Sequence, residues 1–168
     1  MKRILTLLGI FFALEANAQK IVSDKTDEFN GMRTIETSTI FLQGKVLSPV
    51  MTYVFAVKHM DPKDTALFLY FGVRSQQVCS TDEKSKILLK TAAGDIITLH
   101  HIGDYEIHGT GDLILYAAPI ESDSMMALSS PIKLIRFETS EANINVEVQE
   151  KKQTTIADLF KVINTYKL

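Results

Sequence analysis

A single cysteine, Cys79, stands among 168 residues. No disulfide can close within the chain, and a small fold held by internal staples is excluded. A lone cysteine beside a strongly apolar segment is expected to be a buried small hydrophobe. Clustered charge is also missing. The 20 acidic and 18 basic residues nearly cancel, and the densest basic stretch, Lys84-Ser85-Lys86, sits beside Asp82 and Glu83. Nothing there would hold a phosphate backbone, so nucleic acid is excluded as a partner. N-x-S/T sequons are absent, as is the G-x-S-x-G turn that presents a nucleophilic serine. The four prolines, Pro49, Pro62, Pro119 and Pro131, are well separated, and no repeat or Pro/Gly/Ser-rich linker divides the chain. One domain is the simplest account.

The amino terminus carries the clearest positive pattern. Two charges, Lys2 and Arg3, precede the apolar run Ile4 to Leu14, and the small-residue triplet Ala16-Asn17-Ala18 comes before Gln19. These are the three regions of a cleavable secretory signal, with the cut expected between Ala18 and Gln19. At about 1.5 Å per residue the apolar run reaches roughly 16 Å, about half of a ~30 Å hydrocarbon core, too short for a permanent anchor. Cys79 lies far downstream, so a lipidated cysteine at the new terminus is not expected. Past the signal no apolar run approaches the ~18 residues of a spanning helix. Residues 19–168 are expected to form one soluble globular domain, secreted or periplasmic. Losing Lys2, Arg3 and Glu15 leaves it 16 basic and 19 acidic residues, a net charge of −3. The unpaired cysteine, the missing sequons and the short Lys-Arg-led signal lean toward a bacterial envelope. A domain of that length buries about 68–70% of its unfolded surface without staples.

Strand signals dominate the rest. Val50 to His59 and Thr65 to Arg74 flank Asp61-Pro62-Lys63-Asp64 and predict a hairpin. In the first strand Met51, Tyr53, Phe55 and Val57 share one face, while Thr52 and Lys58 mark the wetter one; in the second both faces are apolar, which predicts a central strand. Lys86 to Thr91 and Ile96 to His101 predict a second hairpin around Ala92-Ala93-Gly94-Asp95. Lys20 to Asp24 and Met32 to Leu42 flank Glu28-Phe29-Asn30-Gly31, and Leu113 to Ala118 is a short strand ended by Pro119. Glu121-Ser122-Asp123-Ser124 predicts a helix start before Met125 and Met126, expected as core filler. A strand follows Pro131, with Ile135 and Phe137 opposing Leu134 and Arg136. In the next, Ile144, Val146 and Val148 oppose Asn145, Glu147 and Gln149. Ile156, Leu159, Phe160, Ile163 and Tyr166 have helical spacing, with Thr155 and Asp158 as a capping box.

The fold class predicted is α+β, mainly antiparallel, with about seven or eight strands in a sandwich-like or bent sheet. A short helix near 121–129 and a C-terminal helix packed on the sheet complete it. The helical end and the strands apolar on both faces argue against an eight-stranded membrane barrel.

Candidate chemistry is thin. Three of the four histidines fall within His100 to His108, and three imidazoles with a carboxylate could hold zinc or copper if they converged. On a strand, however, His100 and His101 point to opposite faces. Asp27-Glu28 and Asp82-Glu83 lie in turn-like stretches that keep them ordinary anions. Gly109-Thr110-Gly111 lacks the lysine of a phosphate loop and reads as a turn. No catalytic, cofactor or metal residue is assigned. The expected function is that of an exported, non-catalytic binding or interaction module, its partner a protein or envelope component reached through a sheet face or edge. The alternative is a small metal-dependent hydrolase built on His101, Asp104 and His108.

Overall fold

A computed structural model describes residues 19–44, 49–61 and 63–166. The expected signal segment, residues 1–18, and Pro62 lie outside the described residues. The large sheet contains β1 (Ile21–Thr26), β2 (Arg33–Thr37), β3 (Ile40–Gln43), β4 (Met51–Met60), β5 (Thr65–Arg74) and β10 (Leu113–Pro119). Its order is β1-β2-β4-β5-β10, with β3 also paired to β4. A four-stranded sheet contains β7 (Lys86–Thr91), β8 (Ile96–His100), β11 (Ile132–Glu138) and β12 (Asn143–Glu147), in the order β12-β11-β7-β8. A ribbon pairs β6 (Cys79–Thr81) with β9 (Glu106–His108). Every pairing is antiparallel. Two helices, α1 (Ser122–Ala127) and α2 (Thr155–Thr165), complete the described fold.

The turn chemistry is the expected one. The Asp61 amide donates to the Asp64 carbonyl at 2.9 Å, closing the β4–β5 hairpin. Gly94 has φ +106 in the β7–β8 turn, a conformation that glycine adopts without strain. The two sheets enclose one core. Its aromatic centre is Phe71 of the large sheet, 6.0 Å from Phe137 of the smaller, with Tyr116 5.0 Å from the same ring. Helix α2 closes the core by laying Ile156, Leu159, Phe160 and Ile163 against β2 and β4. Among the described residues no helix is long and apolar enough to cross a membrane.

The architecture agrees with the α+β expectation, but several details differ. The chain has twelve described strands rather than seven or eight. The β6–β9 ribbon was not legible in the sequence, being two strands of three residues each. The segment read as one strand over 32–42 is two, β2 and β3, end to end along one edge of β4. At the break the buried Thr37 hydroxyl accepts from the Ala56 amide at 2.9 Å and donates to its carbonyl at 3.3 Å, so a side chain continues the ladder where backbone stops.

The helix termini and the faces of β4 also differ. Helix α2 is capped at Thr154, whose hydroxyl donates to the Asp158 carboxylate at 2.9 Å, instead of at Thr155. Met125 and Met126 are 38% and 84% exposed, so they do not fill the core. Finally, the faces of β4 are exchanged. Thr52, Val54 and Ala56 are fully buried on the core side, and Tyr53 and Phe55 look outward. The alternation was legible, but two apolar faces compete here and tertiary packing decides which receives a covering layer.

Candidate functional site

Beyond β8 the chain crosses to the edge of the large sheet, where Ile102 donates its amide to the Ala117 carbonyl at 2.8 Å. His101 turns inward at this crossing. Its Nδ1 accepts the Ala117 amide at 3.2 Å, its ring meets Tyr116 edge-on at 5.2 Å, and Gly103 lies against Nε2 so closely that a Cβ there would come within 2.4 Å. The Ala117 donor fixes the neutral tautomer with the proton on Nε2. Burial holds the imidazole below its ordinary range, because a charged ring would lose hydration there.

The other residues of that cluster go elsewhere. His108 is buried in β9 with Nε2 2.9 Å from the Thr81 hydroxyl and 3.8 Å from the Glu106 carboxylate. His100 and Asp104 are exposed. Asp104 lines, with His101, Gly103 and Glu106, a depression of about 240 Å³, below the roughly 300–1,000 Å³ of most ligand sites. Among the described residues no three His, Cys, Asp or Glu side chains come together as a metal-holding group. Cys79 is fully buried, and burial, with Glu141 nearby, pushes its thiol up, away from the reactive thiolate.

A different surface stands out once the registers are followed across the large sheet. On the side turned away from the core, Phe41 pairs with Tyr53, Phe55 with Tyr70, Val57 with Phe68 and His59 with Ala66. The rings form a continuous row. Phe41 meets Tyr53 at 5.9 Å, Tyr53 stacks near Phe55 at 6.3 Å, and Phe55 stacks on Tyr70 at 5.0 Å with 9° between planes. Phe68 continues it, 6.3 Å from Tyr70 and 5.4 Å from His59. Such pairs contribute about 0.5–1.5 kcal/mol each beyond the area they cover.

Gly72 makes the row possible. It sits opposite Tyr53, and a Cβ on it would come within 2.1 Å of that ring, so the phenol lies down across the neighbouring strand. Leu113 and Leu115 of β10, 43% and 48% exposed, extend the same face. Charge is confined to its margins, with Glu36 opposite Val57 and Arg74 opposite Met51. Burial and the Glu36 carboxylate together raise the Tyr70 phenol. At the far corner His59 Nδ1 lies 3.1 Å from the Thr34 hydroxyl.

This layer is separate from the core. Met51 and Val57, on the aromatic side, are the only buried hydrophobic residues among those described that do not join the core cluster. The outward face of the four-stranded sheet is of another kind. It carries Lys86, Lys90, Arg136, Glu138 and Glu147 interspersed with Leu88, Ile96 and Leu134, and Arg136 donates to Asn145 at 2.8 Å, so charge runs through it. The sequence held a signal for the contrast: four of the five aromatics in the row come from one hairpin, β4–β5, on alternate positions within each strand. No protein-family model, no curated protein and no solved structure matches this chain.

Proposed function

We propose that this protein is an exported binding module that works through the aromatic outer face of its large sheet. The observation that carries the reading is the uncharged row from Phe41 to Phe68, set between Glu36 and Arg74 and continued by Leu113 and Leu115. A contact surface has this anatomy, with aromatics at the centre and charge at the rim. Its rings are half-buried and Leu113 and Leu115 exposed, and contiguous apolar area left open to solvent outside the core marks an interaction site. The amino-terminal pattern from Lys2 to Ala18 supports delivery to the periplasm or beyond. The hydrolase alternative is not preferred, since both imidazoles it needs, His101 and His108, already have hydrogen-bond partners.

The chain contains no tryptophan, which makes the reading simple to test. Phe68→Trp places a single emission reporter on the face. Titration with an envelope preparation from the source cells should shift that emission to shorter wavelength, and a second substitution, Tyr70→Arg, should abolish the shift. An unchanged spectrum in a chain that sediments as a monomer would remove the aromatic face as a binding surface. Amino-terminal sequencing of the natural product should begin at Gln19; a chain beginning at Met1 would remove export.

A further inference from the structure

We propose that the occupant of the aromatic face is a second copy of this chain, the two faces meeting across a twofold axis. The inference rests on the reading of that face as a contact surface and names its partner. Area is the first argument. The face spans four strand positions and the length of β4 and β5. At about 4.8 Å between strands and 3.3 Å per residue this is roughly 19 by 30 Å, on the order of 600 Å² per copy. Two copies would bury about 1,200 Å², above the ~1,000 Å² expected of a biological interface and at the lower end of the standard size.

Charge is the second argument. A face that meets its own image sets like against like wherever charge is central, and such contacts are costly. Here the centre is Tyr53, Phe55, Tyr70, Phe68 and Leu115, without a charged residue among them, and Glu36 and Arg74 stand at the margins. The outward face of the four-stranded sheet differs, because Lys90 and Arg136 stand among its apolar Leu88, Ile96 and Leu134, which puts charge at its centre instead of its rim. Apolar faces of two sheets pack about 10 Å apart with interleaved side chains, which the half-buried rings would complete.

The test is sedimentation equilibrium of the processed protein across the micromolar range, with two variants. Phe55→Glu places charge at the centre of the row. Leu115→Glu alters a 48% exposed side chain, so its far-UV circular dichroism spectrum should stay that of wild type, and misfolding then cannot explain its behaviour. Wild type should shift from monomer to dimer mass as concentration rises. Because a twofold interface counts each substitution twice, either variant should weaken dimerisation by at least about tenfold. Monomer mass for wild type at every concentration would overturn the proposal, as would variants that dimerise as tightly as wild type. The Phe68→Trp reporter separates the two readings. A monomer whose emission shifts with the envelope preparation overturns the dimer and keeps the binding face, whereas a monomer whose emission never shifts overturns both.

Discussion

His101 can take up a proton only at Nδ1, the atom that already accepts the Ala117 amide. Folding therefore favours the neutral ring, and its titration lies below the ordinary histidine range because of burial. The sign follows: between the folded value and the unfolded one near ~6.5, the unfolded chain binds more protons. The stabilisation is complete above that pH and is lost as acid is added. Urea midpoints measured from about pH 7.5 down to pH 5.5 should fall, and His101→Gln should flatten that dependence. An equal slope in the variant would assign the effect elsewhere. Thr37 is the second residue with a single identifiable task. Thr37→Val keeps the shape but orphans the buried Ala56 amide and carbonyl, at a cost of about 1–3 kcal/mol in urea denaturation, whereas Thr37→Ser should recover most of it.

At the scale of elements, β4 and β5 have separable duties on their two faces. Gly72→Ala would drive the Tyr53 ring from its bed, since the new Cβ would lie 2.1 Å from it. The obstacle is the far end of a side chain that can rotate away. Far-UV circular dichroism should therefore stay that of wild type while the near-UV tyrosine signal changes; a lost far-UV spectrum would mean that the layer and the fold are inseparable. Helix α2 belongs to the other face. Leu159 is fully buried there, and Leu159→Ala should cost about 2–5 kcal/mol, measured as a lowered urea midpoint. A loss under 1 kcal/mol, roughly what a surface change costs, would mean the helix is not docked as described.

At the scale of the whole molecule, one core cluster takes residues from both sheets and from α2. No part can leave without uncovering the rest. Unfolding followed by far-UV circular dichroism and by tyrosine fluorescence should give coincident transitions; separated midpoints would show that α2 or the smaller sheet comes away first. Outside that cluster lies the aromatic layer, whose substitutions should alter association more than stability.

The amino-acid sequence by itself determined the elements whose cause is local. Period-two alternation placed β4, β5, β7, β11 and β12 to within a residue or two, Gly94 marked its turn, and the spacing from Ile156 to Ile163 drew α2. These features arise from neighbours along the chain. What only the tertiary structure decided depends on partners distant in sequence. Thr37 meets Ala56 across 19 positions and His101 meets Ala117 across 16, so neither role shows in a local pattern. The direction faced by Tyr53 and Phe55 was decided in the same way, because alternation defines two faces and only the arrival of the smaller sheet and α2 selects the one that becomes core.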